Sequence, residues 1–146
     1  MTPKIRVADP VYNAERICEK LKEAYERKAK IIVFPELCIT GYTCQDLFWQ
    51  DVLLKEALTA LRKIAAFTKG QDALVFVGLP VERHQKLYNA AAAIRDGKVL
   101  GMVPKTCIPN YGEFYEARHF TPGNEEVVDF VLDGEKIPFG TRLLFA

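Results

Sequence analysis

The sequence contains little of what marks a metal site, a membrane anchor or a nucleic-acid-binding surface. Its four cysteines form no Cys-x-x-Cys pair and its two histidines lie far apart, so the spacing predicts free thiols rather than zinc. No apolar run approaches the roughly 20 residues that span a bilayer, and the N-terminus lacks the apolar core of a signal peptide. The formal net charge of +1 does not favour nucleic acid or anionic lipid. We therefore expect a cytoplasmic protein with neither kind of partner.

The sequence also has no Gly-rich phosphate loop and no Ser-Gly-Gly type pyrophosphatase motif. We therefore expect this chain to bind no nucleotide by itself and to need no cofactor. What is present is a globular balance, with 49% apolar and 27% charged residues. The 146 residues leave room for one domain with a sizeable core.

Apolar periodicity in the first half of the chain predicts alternating helices and strands. A first helix is predicted with Asn13 as its N-cap, and it leads into a short buried strand over Ile31–Phe34. A second helix is predicted from about Gln50 to Lys69. It is followed by a strand over Ala73–Leu79 that Pro80 is expected to close.

The second half of the chain predicts two hairpins separated by a long loop. Asp96-Gly97 is a strong turn signal between predicted strands over Leu87–Arg95 and Lys98–Val103. A strand over Val127–Leu132, then Asp133-Gly134, then another strand from Leu143 are expected to form the last hairpin-like unit. Together these elements indicate an α/β fold with a mixed sheet and helices on one face.

Three ionisable residues stand out by their positions in this scheme. Glu36 follows the first predicted strand, Lys105 follows the strand that Pro104 ends, and Glu116 lies in the aromatic loop 105–123. A carboxylate and an ammonium at adjacent strand ends can form a buried ion pair with perturbed pKa values, as catalytic pairs do. Each residue alone is weak evidence, since Lys and Glu are mostly exposed and a lone one is more often a solvated surface group.

The segments around these residues resemble the nitrilase (carbon–nitrogen hydrolase) superfamily. The first is Phe34-Pro35-Glu36-Leu37 with Thr40-Gly41-Tyr42, and the second joins Lys105, Pro109-Asn110-Tyr111 and Phe114-Tyr115-Glu116. Within this superfamily, the sequence more specifically resembles the glutaminase domain of glutamine-dependent NAD synthetases. That narrower match rests on Arg6-Val7-Ala8-Asp9, Tyr12-Asn13-Ala14-Glu15 and Tyr42-Thr43-Cys44-Gln45-Asp46-Leu47-Phe48.

The resemblance implies a four-layer αββα fold and hydrolysis of glutamine to glutamate and ammonia. The ammonia would serve the ATP-dependent amidation of deamido-NAD to NAD, with ATP and magnesium belonging only to a synthetase domain. Glu36 would be the general base for a cysteine nucleophile, and Lys105 would stabilise the oxyanion. Glu116 would position that pair, and Tyr111 would lie beside the bound glutamine.

The sequence departs from the family pattern in two places. The family's nucleophilic cysteine lies in a Glu-Ile-Cys-Glu-Asp type segment that these residues do not contain, and Cys38, Cys44 and Cys107 match no catalytic position. The family's first apolar strand has no counterpart before Thr2. We therefore expect residues 1–146 to be a partial glutaminase domain, half of the αββα sandwich, without a synthetase domain and inactive alone. Open sheet edges would favour a homo-oligomer.

Two other functions remain open on the sequence. One is a stand-alone amidase or nitrilase that acts on a small amide or nitrile. The other is a non-catalytic binding or regulatory module that keeps an amide-sized pocket. The reading frame beyond codon 146 would separate the first from an NAD synthetase, and size-exclusion chromatography with a full-length homologue would test the second.

Overall fold

The computed structural model describes residues 1–145, which form one six-stranded mixed sheet with two α-helices. The order of strands across the sheet is β1-β2-β3-β4-β6-β5. Short 3₁₀ turns occur at Gln45–Trp49 and Glu116–Arg118. In chain order the elements are α1 (Pro10–Glu26), β1 (Ile31–Val33), α2 (Asp51–Phe67), β2 (Leu74–Arg83), β3 (Lys86–Arg95), β4 (Lys98–Pro104), β5 (Val128–Leu132) and β6 (Glu135–Phe139).

The predicted α/β class, with a mixed sheet and helices on one face, is confirmed. Pairs β1–β2 and β4–β6 are parallel, whereas β2–β3, β3–β4 and β5–β6 are antiparallel. One face of each helix packs into the same apolar cluster as alternate residues of the central strands, so both helices cover one side of the sheet. That cluster includes Ala14, Ile17, Leu21, Ala57, Leu61, Ile64, Val75, Val77, Leu79, Ala90, Ala92 and Ile94.

The prediction that Asn13 caps the first helix is wrong. The helix begins at Pro10, and the Asp9 carboxylate caps it by accepting a hydrogen bond from the Tyr12 backbone N–H at 3.0 Å. Asn13 is instead fully buried and ties the N-terminal segment to the core. Its Oδ1 accepts from the Arg6 N–H, and its Nδ2 donates to the carbonyls of Arg6 and Ile39, at 2.7, 2.7 and 2.9 Å.

Two strand predictions also need correction. The first strand is not buried on both faces, because Ile31 and Val33 are exposed on the side without helices. The strand predicted to end at Pro80 continues to Arg83. Pro80 is tolerated because its nitrogen faces the β1 side, as the carbonyl of Gly78 does, and β1 has already ended there.

The hairpin at Asp96-Gly97 is confirmed, with both residues at positive φ as a tight turn requires. The last hairpin turns at Asp133-Gly134 as expected, but the strand predicted from Leu143 is wrong, because the second arm is β6, which begins at Glu135. The same geometry recurs at His84-Gln85, where two non-glycine residues at positive φ join β2 to β3. In residues 1–145, neither helix has the length and hydropathy of a bilayer span.

Replacing Asn13 should destabilise the fold more than removing the cap of the same helix. Asn13→Ala leaves the Arg6 N–H and the carbonyls of Arg6 and Ile39 without their partner, and the loss at the buried Ile39 carbonyl alone costs about 1–3 kcal/mol. Asp9→Ala removes a single capping bond that is worth about 1 kcal/mol. Urea unfolding of the two variants measures the difference, and an equal loss in both would contradict the role given to Asn13.

Candidate active site

The direction of the strands brings Glu36 and Lys105 to one edge of the sheet. Strand β1 is parallel to β2, and the two antiparallel steps from β2 to β4 give β4 the same direction again. Glu36 therefore follows β1, and Lys105 follows β4, at the same edge. Strand β3 begins on the site side, and near its start the carbonyl of Asn89 accepts a hydrogen bond from the backbone N–H of Lys105 at 2.8 Å.

The ammonium of Lys105 joins the three residues that the sequence singled out. Its Nζ donates to Glu36 Oε1 at 2.6 Å and to both carboxylate oxygens of Glu116 at 2.9 Å. The exposed fraction of the side chains is 41% for Glu36, 29% for Lys105 and 5% for Glu116. The structure therefore places the Glu116 carboxylate inside the protein and leaves part of the Glu36 carboxylate open to solvent.

The two carboxylates determine the charge state of the lysine. Burial by itself would lower the pKa of Lys105, but the hydrogen bonds to Glu36 and Glu116 and their negative charges outweigh it and raise that pKa. Lys105 therefore stays protonated at neutral pH, and the group of three carries one positive and two negative charges. Such an arrangement can hold the Glu36 carboxylate in place, and the Lys105 ammonium can stabilise negative charge that develops on an atom nearby.

Two more residues contact this group, and neither was predicted to belong to the site. The Tyr42 hydroxyl donates to Glu116 Oε1 at 2.8 Å, and the Asn89 side-chain amide donates to Glu36 Oε1. Burial and the bond to Glu116 both raise the pKa of Tyr42. Asn89 carried a usable signal, because it is the one amide in an otherwise apolar run within β3. Tyr42 lay in a motif but showed no pattern that pointed to Glu116.

The backbone beside Glu36 depends on a glycine in the neighbouring strand. A Cβ at Gly78 would lie 2.4 Å from the Leu37 nitrogen and 2.9 Å from the Glu36 Cα, so the chain crosses β2 where no side chain is present. Leu37 has φ of +50°, a strained value for a leucine, and the chain turns there. Close approach and turn together direct Glu36 back over the end of the sheet.

A cavity of about 540 Å³ opens beside these residues on the face of the sheet without helices. Glu36, Asn89 and Lys105 lie at its polar end, and Phe76 and Val103 contribute to its apolar walls. A pocket with a few converging polar groups in an apolar lining is typical of a small-molecule site.

The remaining predicted site residue, Tyr111, lies apart from this cavity. Its side chain is exposed and contacts the Phe114 ring edge to face, with 5.6 Å between centroids. It is not among the residues that line the cavity at Glu36. Its contact with a substrate remains a prediction.

The four cysteines are free thiols, and three of them are buried. Burial raises the pKa of Cys38 to about 12, and burial also raises the pKa of Cys18 and of Cys44. These three thiols are therefore protonated at neutral pH. Cys107 is exposed and lines the cavity. In residues 1–145, no three His, Cys, Asp or Glu side chains come together as metal ligands would.

A second, smaller cavity of about 100 Å³ lies on the other side of Glu116. Tyr42, Phe48 and His119 contribute to its lining. His119 is buried, and within the described part of the chain neither ring nitrogen has a hydrogen-bond partner. Burial lowers the pKa of His119, so the imidazole is neutral at pH 7.

The fold and this Glu–Lys–Glu cluster agree with a match to a known family. The family model described as carbon-nitrogen hydrolase matches residues 1–140, and the chain belongs to that family. The resemblance read from the motifs is thereby confirmed.

Within the family, similar proteins are glutamine-dependent NAD(+) synthetases. The chain is 36% identical over 140 residues to that of Mycobacterium tuberculosis and 41% identical over 133 residues to that of Aquifex aeolicus. These alignments cover 96% and 91% of this chain, but 21% and 23% of the relatives. The chain thus spans about a fifth of the length of the curated relatives it matches.

Solved structures give the same picture of the fold. The crystal structure of a glutamine-dependent NAD(+) synthetase from Cytophaga hutchinsonii superposes with a TM-score of 0.90 at 31% identity, over 99% of this chain and 25% of that one. An amidase from Nesterenkonia superposes with a TM-score of 0.69 at 24% identity, over 94% of this chain and 52% of that one, which shows the shared fold.

Removing the Tyr42 hydroxyl should make stability less sensitive to alkaline pH. The fold keeps Tyr42 protonated above its ordinary pKa of about 10, whereas the unfolded chain loses that proton. The contribution of the Tyr42 hydroxyl to the free energy of unfolding is therefore present below about pH 10 and declines above it. The stability difference between wild type and Tyr42→Phe should therefore shrink from pH 9 to pH 11, measured by urea unfolding. The exposed Tyr111→Phe is the matched control. A Tyr42 difference that stays constant with pH would contradict this assignment.

Proposed function

We propose that Glu36, Lys105 and Glu116 are the proton-transfer and charge-stabilising part of a site that hydrolyses the carboxamide of glutamine. The observation that carries this proposal is the single ammonium between two carboxylates, with Nζ at 2.6 Å from Glu36 and 2.9 Å from Glu116. The cluster faces a cavity of about 540 Å³, which has room for an amino acid side chain and its attacking group.

Each residue of the cluster has a chemical role in this proposal. Glu36 takes the proton from a cysteine thiol, and the thiolate attacks the amide carbon. Lys105 stabilises the oxygen that becomes negative in the tetrahedral intermediate. Glu36 returns the proton to the amide nitrogen, so that ammonia leaves and a thioester remains. Water, deprotonated by Glu36, then attacks the thioester, and glutamate and the thiol are released.

Glu116 acts in this scheme through Lys105. Its carboxylate is 5% exposed and accepts from both Lys105 and Tyr42, so it is fixed on two sides. A fixed anion behind the ammonium holds Nζ toward the cavity. Glu116 is therefore a positioning residue for Lys105 and not a group that contacts the amide.

The attacking thiol is proposed to come from outside residues 1–146. Cys18, Cys38 and Cys44 are buried, and their raised pKa values work against a thiolate. Cys107 is exposed at the cavity but follows Lys105 by two residues and matches no nucleophile position of the family. No cofactor is assigned to these residues.

The destination of the ammonia is proposed from the similar proteins, whose name is glutamine-dependent NAD(+) synthetase. Ammonia released here would amidate deamido-NAD at a separate ATP-dependent site. A stand-alone amidase would use the same three residues, and a binding module would keep the cavity without turnover. NAD formation, measured below, separates the first function from the other two, and ammonia release from glutamine or another small amide separates the amidase from the binding module.

The 146-residue chain by itself should release no ammonia from glutamine above background. Its base and its cation have no reactive thiol to serve, and loss of a nucleophile costs orders of magnitude in rate. A coupled glutamate dehydrogenase assay measures ammonia directly. Glutaminase activity that Cys107→Ala abolishes would show that Cys107 is the nucleophile.

In the polypeptide that the gene encodes, Glu36→Gln should abolish glutamine-driven NAD formation and leave the ammonia-driven rate intact. The amide keeps the size of the carboxylate but cannot take a proton, and a general base typically contributes about 10²–10⁴-fold. Lys105→Met keeps much of the side-chain volume and should lower the glutamine-driven rate by about 10²–10³-fold. NAD formation with each nitrogen donor is the measurement.

Lys30→Met is the matched control, because Lys30 forms an exposed ion pair with Asp72 away from the cluster. It should leave both rates unchanged. If Glu36→Gln also removed the ammonia-driven rate, Glu36 would serve structure instead of proton transfer. If the glutamine-driven rate survived, Glu36 would not be the base.

A further inference from the structure

Asn89 lies between the two halves of the Glu–Lys pair and touches both of them. Its backbone carbonyl accepts from the Lys105 N–H at 2.8 Å, and its side-chain Nδ2 donates to Glu36 Oε1. The residue is 3% exposed and lies within β3, which is paired on both sides by β2 and β4. Asn89 is therefore held by a rigid part of the sheet.

The two oxygens of the Glu36 carboxylate have different surroundings. Oε1 accepts from Asn89 Nδ2 and from Lys105 Nζ. Among residues 1–145, no donor forms a hydrogen bond with Oε2, which belongs to a side chain that is 41% exposed at the cavity. The two donors occupy the lone pairs of Oε1, whereas Oε2 is free to accept a proton.

We propose that Asn89 is a positioning residue that holds the Glu36 carboxylate by Oε1 and thereby makes Oε2 the atom that takes the proton. The inference rests on the proposed function, in which Glu36 is the base. Lys105 alone could not fix the choice of oxygen, because its ammonium is also bonded to Glu116 and can rotate. The planar amide of Asn89 donates from one direction only.

Asparagine suits this position better than either of its near relatives in size. An aspartate would place another negative charge against Glu36. A leucine would fill the same space but leave Oε1 without its second donor. The charged and titratable groups that face Glu36 are Lys105, Glu116, the Tyr42 hydroxyl beyond Glu116 and the Cys107 thiol at the same cavity. Neither substitution at residue 89 removes any of them.

The experiment follows the carboxyl carbon of Glu36 through a pH titration by ¹³C NMR in the 146-residue chain. Asn89→Leu should raise the pKa of Glu36 by about 1 to 2, because a hydrogen bond to the charged form is lost. Asn89→Asp should raise it as well, with two coupled steps. Asn89→Ser, which keeps a donor, should raise it less than Leu. Asn124→Leu, at an exposed site, is the matched control and should leave the titration unchanged.

The amide ¹H–¹⁵N spectrum reports whether each variant is folded. If the Leu variant does not fold, the Asp and Ser variants decide. A Glu36 titration that is unchanged in the folded variants overturns the proposal.

A second measurement separates this inference from the proposed function. In the polypeptide that the gene encodes, the acidic limb of the kcat/KM profile for glutamine should move upward with the Glu36 pKa in Asn89→Leu. If the NMR pKa moves but the kinetic limb does not, Asn89 holds Glu36 as proposed and Glu36 is not the base. If neither the NMR pKa of Glu36 nor the kinetic limb moves, Asn89 does not position Glu36.

Discussion

The arrangement at the sheet edge depends on one ammonium shared between two carboxylates. The Lys105 ammonium lies 2.6 Å from Glu36 and 2.9 Å from Glu116, and solvent screens the first pair more strongly, because the Glu36 side chain is 41% exposed and that of Glu116 is 5% exposed. Lys105 cannot neutralise Glu36 and Glu116 together, so the cluster keeps one net negative charge. The environment divides the two carboxylates, because Glu116 is enclosed and bonded on two sides while Glu36 faces the cavity. Carboxylates in unlike surroundings can take unlike roles.

That cluster forms only because the backbone brings distant segments together. Glu36 and Lys105 are 69 residues apart in sequence, and two further strands separate β1 from β4 in the sheet. The segment that carries Glu36 can pass over β2 toward Lys105 because Gly78 has no side chain under the Glu36 backbone. The chain then turns at Leu37, which has a positive φ. Strain of this kind costs about 1–3 kcal/mol and persists where the surrounding structure holds it.

The fold and the cluster could be predicted from the sequence to different depths. Helical periodicity and the Asp96-Gly97 turn gave α1, α2 and the β3–β4 hairpin, because each signal is local. Pro80 was wrongly predicted to end β2, because its effect depends on which side of β2 still has a partner strand, and that depends on tertiary structure. Asn13 was wrongly predicted to cap α1 for a similar reason, since its hydrogen bonds go to Arg6 and Ile39 and not to its own helix. Local sequence cannot show such partners.

The site divides in the same way. Glu36, Lys105 and Glu116 were recognisable from motifs, and the structure brings all three together. Asn89 and Tyr42 were given no role: Asn89 showed only that an amide interrupts the apolar run of β3, and the hydrogen bond of Tyr42 to Glu116 leaves no pattern in the local sequence.

The central claim is that Glu36 and Lys105 act as one unit in amide hydrolysis. A double-mutant cycle tests it most directly, with Glu36→Gln, Lys105→Met and the double variant compared by the rate of glutamine hydrolysis in the polypeptide that the gene encodes. Residues that act as a unit give grossly non-additive losses. We expect the double variant to be no slower than the slower single variant. Losses that multiply in the double variant would show that the two residues act independently and would contradict this account.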